Sequence, residues 1–263
     1  MLEKNIFLLW LQGWKNAEWL NKHVAESWEI NNPDWKIHYV DIENLKNYTT
    51  DIDYIYDSRK HISPQAKSDI IRLSLLKKYG GVWAEATTLC MQPLDHWIHE
   101  AVEPTGLWMY HGDGSKTNSD IGPASWFIVS EKDNYIITKW KEECDKYWLG
   151  KDRNYGYYWM DELFKNLVNS DEKFKNLWLK VPYLYCESDG QSNTLAHHGM
   201  HNNTPHIKNL FTERPPYALK LWKDWNHIFP DVSTQRCINS NGYWAIQMSK
   251  RKYIYKHEMN RSM

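Results

Sequence analysis

Residues Ser63 to Thr88 read SPQAKSDIIRLSLLKKYGGVWAEATT. Ser63 is placed to cap a helix. Pro64 takes the first helical position, where its missing N–H is no loss. Ile70, Leu73 and Leu76, with Ile71 and Leu75, form a broad apolar face at helical spacing. Lys77 and Lys78 fall in the last turn, where cations complement the helix dipole. Gly80 can take the left-handed conformation that ends a helix. Gly81-Val82-Trp83-Ala84 then reads as a short buried strand with Glu85 at its far end. The stretch is a helix feeding a strand, the repeating unit of an α/β protein.

The same alternation extends in both directions. Asn5 to Leu11 reads as a buried first strand, followed by a Gln12-Gly13-Trp14 loop. Asn16 is positioned to cap a helix through Trp19, Leu20, His23, Val24 and Ser27, which Asn31, Asn32 and Pro33 stop. Lys36 to Val40 alternates as a second strand. Ala124 to Val129 is another core strand. Ser130 and Asp133 form a capping-box pattern for a helix reaching about Trp148. A further aromatic helix covers Tyr157 to Val168. Beyond Asp171 the pattern breaks up, and Ser188 to Pro216 reads as long polar loops. Strands alternating with helices predict a mostly parallel central sheet flanked by helices. Such sheets bind ligands beyond the carboxyl ends of their strands, where Trp10 and Glu85 lie.

Composition narrows the function. The 263 residues suit one large domain or two small ones, without internal repeat or low-complexity linker. A formal net charge of −1 gives no basic surplus for nucleic acid. The 16 Trp and 17 Tyr against 6 Phe favour rings with a polar edge, which suit sugar ligands but also fill cores. Cys90, Cys144, Cys186 and Cys237 show no C-x-x-C spacing, so neither a zinc site nor a disulfide framework is expected. The apolar run Ile6 to Leu11 is too short for a signal-peptide core, which makes the cytoplasm the expected compartment and leaves the sequons at Asn47 and Asn202 without meaning. The tail from Lys250 to Lys256 mixes Lys and Arg with Tyr and could touch an anionic membrane surface. There is no G-x-S-x-G elbow, H-E-x-x-H helix, P-loop or Rossmann glycine string.

Asp69 and Arg72 lie three residues apart on the predicted helix and share a face. A carboxylate beside a guanidinium can grip vicinal sugar hydroxyls, since one accepts and the other donates. The same spacing also makes ordinary surface ion pairs. Glu85, at a strand end, could bind a Mg²⁺ or Mn²⁺ that also holds a diphosphate, or could be a plain polar terminus.

Ser68-Asp69-Ile70-Ile71-Arg72 followed by Tyr79-Gly80-Gly81-Val82-Trp83-Ala84-Glu85 resembles the capsular polysaccharide synthesis family. It is more distantly similar to the sugar-binding region of retaining glycosyltransferases, among them yeast-type mannosyltransferases and the large clostridial glucosylating toxins. The resemblance continues through Cys90, Pro93-Leu94-Asp95, Trp10, Glu26-Ser27-Trp28, Asn32-Pro33, SWFIVS and YYWMDELF. It implies a GT-A fold over residues 1–263, with a nucleotide-sugar-binding half at 1–120 and an acceptor-side half at 121–263.

It also implies a donor, such as a UDP-sugar, and transfer to a saccharide, glycan or lipid-linked acceptor with retention. Trp10 would stack on the base, with Gln12, Gly13, Ser68, Trp83 and Ala84 around the donor. Asp69 and Arg72 would hold the sugar. Glu85 would take the place of the first acid of a D-x-D motif, ligating Mn²⁺ or Mg²⁺. The second acid is replaced by Thr87, a poorer cation ligand. Asp189 and His198, from the later Gly- and His-containing loop, are the implied counterparts that complete the metal set. Asp161 is the implied acceptor-side residue, or a helix-face charge. A non-catalytic carbohydrate or nucleotide-sugar binder is the alternative. A glycoside hydrolase ranks last, because no carboxylate pair stands out.

Overall fold

The computed structural model describes residues 1–112, 122–154, 156–186 and 201–251. Its centre is a five-stranded sheet built from β1 (Asn5–Leu9), β2 (Lys36–Val40), β3 (Gly81–Glu85), β5 (Leu107–His111) and β6 (Pro123–Ser130). The strand order is β2-β1-β3-β6-β5. β1 pairs in parallel with β2 and β3, whereas β6 runs antiparallel to β3 and β5. The expected mostly parallel direction therefore holds for every strand except β6, which makes the sheet mixed. Ile6, Phe7, Leu8, Val82 and Trp83 have no exposed surface, as expected of strands covered by helices on both faces.

The helices α1 (Trp19–Asn31), α2 (Pro64–Tyr79), α3 (Ile98–Val102), α4 (Tyr135–Leu149), α5 (Trp159–Ser170) and α6 (Glu172–Trp178) surround this sheet, with α2 against α4 and α4 against α5. Together they form a single mixed α/β domain. A second, two-stranded antiparallel sheet joins β4 (Thr88–Cys90) to β7 (Ala218–Lys220). Downstream lie α7 (Pro205–Glu213), two single-turn helices at Trp225–Ile228 and Gln235–Ile238, and α8 (Asn241–Ser249). Among the described residues no helix is long and apolar enough to cross a membrane.

The helix-to-strand unit forms as its sequence dictates. Ser63 Oγ accepts from Ala66 N at 3.2 Å, and Pro64 opens α2. Gly80 (φ 66°) and Gly81 (φ 106°) then turn the chain into β3. A Cβ on Gly80 would sit 2.6 Å from Lys132 N, and one on Gly81 would collide with the Asn5 carbonyl. Only glycine allows both the positive φ and the close approach.

Several boundaries differ from expectation. β1 ends at Leu9, because the chain turns through a Gly13 N to Trp10 O bond. Asn16 does not cap α1; its side chain donates to Gln12 O at 3.0 Å and staples the loop, while the helix begins at Trp19. The cap of α4 is Asn134, whose Oδ1 accepts from Ile136 N at 3.0 Å. Ser130 instead ends β6, and Asp133 takes a positive φ of 54°. α5 starts at Trp159, two residues later than read. The expected break after Asp171 is a helix start: Asp171 Oδ1 accepts from Phe174 N at 2.9 Å and caps α6. Within the expected loop region, Pro205 opens α7.

The tryptophan surplus belongs mainly to the core. Trp28, Trp83, Trp140 and Trp225 are all 0 % exposed. Trp28 Nε1 donates to Thr88 O at 2.8 Å, tying α1 to β4. Trp140 Nε1 likewise donates to Met160 O at 3.0 Å, joining α4 to α5, whereas the Nε1 atoms of Trp83 and Trp225 are buried with no partner among the described residues.

Candidate active site at the ends of β1 and β3

α2 and β3 carry the three predicted residues to one place. Arg72 Nη2 donates to Glu85 Oε1 at 2.8 Å and lies 3.3 Å from Asp69 Oδ1. The guanidinium is only 1 % exposed, whereas Asp69 is 18 % and Glu85 31 % exposed. The Arg72 Cζ sits 5.3 Å from the centre of the Trp83 ring, a cation–π support from below. Arg72 Nε and Nη1 are buried and have no hydrogen-bond partner among the described residues. A buried guanidinium with unused donors is costly unless something accepts from it.

A fourth charged group completes the cluster. Lys220, the last residue of β7, donates from Nζ to Glu85 Oε2 and, at 2.7 Å, to Thr87 Oγ1. The β4–β7 ladder sets Thr88 opposite Lys220, and Leu221 N donates to Thr87 O at 2.8 Å. Backbone pairing therefore fixes where this lysine stands. Glu85 is held between two cations, one on each carboxylate oxygen.

The electrostatics follow from that arrangement. Burial alone would raise the Glu85 carboxyl, but Lys220 and Arg72 together outweigh it and hold it at about 2. Asp69 goes the other way. Burial pushes it up to about 7 against the pull of Arg72, with Glu85 and Asp161 adding to the rise. Burial likewise raises Asp161 to about 6, opposed by Arg72 and Lys165. Asp161 lies in the first turn of α5, near enough for its charge to raise Asp69 and for the Arg72 charge to act on it. Trp159, also from α5, lies close enough to Asp69 to pull its carboxyl down slightly against that rise.

The remaining predicted residues fall into three groups. Trp10 directly follows β1, where Leu9 is paired with Glu85, so the indole belongs to the same end of the sheet. It is half-buried, and its Nε1 has no partner among the described residues. Gln12 is exposed; Gly13 takes φ 88° in the loop; Ser68 is half-buried beside Asp69. Trp83 and Ala84, expected around the donor, are both 0 % exposed in the interior strand β3, with the Trp83 ring against Arg72. Asp189 and His198 lie outside the described residues.

Next to Trp10 is a pocket of about 240 Å³ lined by Leu11, Gln12, Ile42, Ile62, Pro64 and Lys67. It opens between the loop after β1 and the first turn of α2. Leu11, Ile42 and Ile62 give it an apolar wall suited to a flat ring. Sequence reading missed Ile42 and Ile62, which sit in irregular segments after β2 and before α2. It also missed Trp159 and Lys220. For Lys220 there was no local signal, since its strand is three residues long and its partner Glu85 is 135 positions away.

In the described part of the expected metal set, an ammonium stands where the divalent cation was expected. Mg²⁺ takes oxygen ligands at roughly 2.0–2.1 Å and needs several of them. Glu85 Oε2 and Thr87 Oγ1 both accept from the Lys220 ammonium instead. Among the described residues no group of three His, Cys, Asp or Glu side chains could hold a metal ion.

Fold and site define an α/β protein whose candidate site lies at the carboxyl ends of its strands and joins a buried guanidinium and a half-buried ammonium to carboxylates. Residues 1–203 match the family model described as capsular polysaccharide synthesis protein, and the chain belongs to that family. It is 22% identical over 169 residues to O-glycosyltransferase braB of Annulohypoxylon truncatum, covering 59% of this chain and 40% of that protein. It is 27% identical over 156 residues to glycosyltransferase afumC of Aspergillus fumigatus, covering 55% and 38%. A 107-residue match, 31% identical and covering 36% and 26%, is to the initiation-specific alpha-1,6-mannosyltransferase of Candida albicans. The chain thus spans about two fifths of the length of the first two relatives. Among solved structures it is similar to the PaToxG glycosyltransferase (TM-score 0.44, 18% identity, 68% of this chain and 74% of that chain). It is also similar to the galactosyltransferase LgtC (TM-score 0.40, 12% identity, 98% and 100%).

Proposed function

We propose that this chain is a GT-A-type glycosyltransferase that moves a sugar from a nucleotide-sugar donor to a saccharide acceptor. The observation that carries the reading is Arg72, buried between Asp69 and Glu85 at the strand ends, with two donor nitrogens still to be satisfied. Sugar hydroxyls and phosphate oxygens are acceptors of the kind it lacks.

In this reading the base of a UDP-sugar lies against Trp10 and the apolar wall of Leu11, Ile42 and Ile62. Asp69 accepts from a sugar hydroxyl, and Arg72 donates to the donor's oxygens. The bond between the sugar's C1 and the phosphate oxygen breaks, and its electron pair leaves with the nucleoside diphosphate. A new C1–O bond forms to the acceptor hydroxyl, whose proton passes to a phosphate oxygen. Cations aimed at the leaving diphosphate act on charge that develops in the transition state. Retention of configuration follows if the acceptor arrives on the face the phosphate leaves.

The acceptor is a glycan or lipid-linked saccharide approaching past Asp161 and the exposed Tyr157, which precedes α5. Residues 1–120 form the donor half and 121–263 the acceptor half. The basic tail beyond Lys250 would bring the protein to the cytoplasmic face of a membrane that carries such acceptors.

The test is a panel of UDP- and GDP-sugars scored by thermal shift and by release of nucleoside diphosphate. A ligand bound only to the native state raises its apparent stability. The reading expects at least one donor to raise Tm and to be turned over. A panel without any shift or turnover rejects it. Binding without turnover across a broad acceptor panel would favour a non-catalytic binder instead.

A further inference from the structure

The feature left over from the site is Lys220, which no sequence motif pointed to. It stands where a divalent cation was expected, bonded to the two side chains, Glu85 and Thr87, that were to hold that cation. We propose that Lys220 performs the cation's task, binding the donor's diphosphate directly, so that transfer runs without a metal. The proposal rests on the nucleotide-sugar reading above.

Four observations support it. The lysine is positioned by backbone pairing between β4 and β7, not by chance contact of a surface side chain. Its side chain is 27 % exposed rather than sealed in the core, and its ammonium donates to both Glu85 and Thr87 at the strand ends. Two cations, Arg72 and Lys220, converge on the Glu85 carboxylate, with Asp69 as a second carboxylate against Arg72, so the ion-paired cluster brings together N–H donors of the kind that suit phosphate oxygens. A dication entering between Glu85 and Thr87 would have to expel the ammonium against like-charge repulsion.

The chemistry balances without a metal. When the C1–O bond breaks, its electron pair settles on the β-phosphate oxygen. Lys220 N–H and an Arg72 N–H donate to that oxygen and its neighbours, as charge-assisted hydrogen bonds. The acceptor's proton goes to the departing phosphate, and both side chains keep their own protons throughout.

The experiment uses the full chain, stripped with EDTA and dialysed. UDP and GDP binding is measured by titration calorimetry in EDTA and again with Mn²⁺, and Mn²⁺ uptake by the protein alone is followed by electron paramagnetic resonance. The proposal expects one nucleotide to bind in EDTA within about twofold of its affinity with Mn²⁺, and the free Mn²⁺ signal to be undiminished by stoichiometric protein. Lys220→Met should weaken nucleotide binding in EDTA by at least tenfold, with no rescue by Mn²⁺. The two wild-type measurements need no variant, so a misfolded Lys220→Met protein does not remove the test. Uptake of one equivalent of Mn²⁺ by the wild type, or nucleotide binding only when Mn²⁺ is present, overturns the role of Lys220 and leaves the sugar-transfer reading standing. No binding of either nucleotide under both conditions overturns both.

Discussion

Arg72 Nη2 meets Glu85 Oε1 at 2.8 Å, joining the middle of α2 to the tip of β3 across thirteen positions of chain. The Gly80-Gly81 turn makes this contact possible by laying the strand directly beside the helix that precedes it. One buried guanidinium therefore fixes the relative place of both carboxylates. Removing it would leave Glu85 with Lys220 as its remaining cationic partner and take from Asp69 the charge that opposes its burial.

Arg72→Ala should destabilise the fold by about 2–4 kcal/mol, the range for breaking a buried ion pair, reduced because Glu85 is partly exposed. Urea denaturation checks it. Arg72→Lys keeps the charge but lacks the planar fork. It should fold and lose at least tenfold in kcat/KM toward whichever donor the wild type uses.

Asp69 predicts a pH dependence. Its carboxyl is raised to about 7 in the fold, above its ordinary value of 3.8. The folded state therefore binds more protons than the unfolded chain between these values, and stability falls as pH rises through that window. Relative to Asp69→Asn, which carries no such proton, the wild type should be more stable at pH 5 than at pH 8. Chemical denaturation of both proteins at the two pH values measures this. Donor binding should show the opposite trend. If the carboxylate form accepts from the sugar, affinity rises as pH passes about 7, and Asp69→Asn flattens the curve.

Much of this site was legible in the sequence because it is local. Ser63, Pro64 and Gly80 mark the ends of α2, and the i,i+3 spacing of Asp69 and Arg72 puts them on one face before any tertiary contact is known. Glu85 follows from counting along a strand. What stayed hidden depends on long-range pairing. Lys220 reaches Glu85 only through the β4–β7 ladder, and Trp159 reaches Asp69 only because α5 packs near α2 through α4. The caps at Asn134 and Asp171 were misread because several residues in each stretch could cap, and tertiary packing chose among them. The tryptophans misled for a related reason: composition counts rings without saying which way they face, and Trp28 and Trp83 face inward.

The pocket beside Trp10, proposed above to take the base, gives a third expectation. Trp10 is half-buried and follows a strand end, so Trp10→Ala should cost little stability. Stacking of an aromatic ring on a base is worth about 1–3 kcal/mol. Nucleotide affinity should fall by roughly 5- to 150-fold on that basis. Titration calorimetry with the best-binding nucleotide checks it, and an unchanged affinity would move the base elsewhere.

The Gly80-Gly81 turn gives a fourth. Gly80→Ala or Gly81→Ala forces a Cβ into the Lys132 backbone or the Asn5 carbonyl at positive φ. Each should destabilise by more than about 1 kcal/mol, the lower bound for a strained left-handed position, with the clash adding to it. Both variants should also lose donor binding, because the turn sets the distance from Arg72 to Glu85. A thermal melt beside a binding titration reads both effects.

The most direct test of the central claim is donor turnover by Asp69→Ala. The purified variant is first checked for the wild-type fold by circular dichroism and thermal melting. Release of nucleoside diphosphate is then followed with the nucleotide sugar that most stabilises the wild type. If Asp69 and Arg72 hold the donor sugar, turnover is abolished while the fold persists. A folded Asp69→Ala protein working at near-wild-type rate would contradict the account.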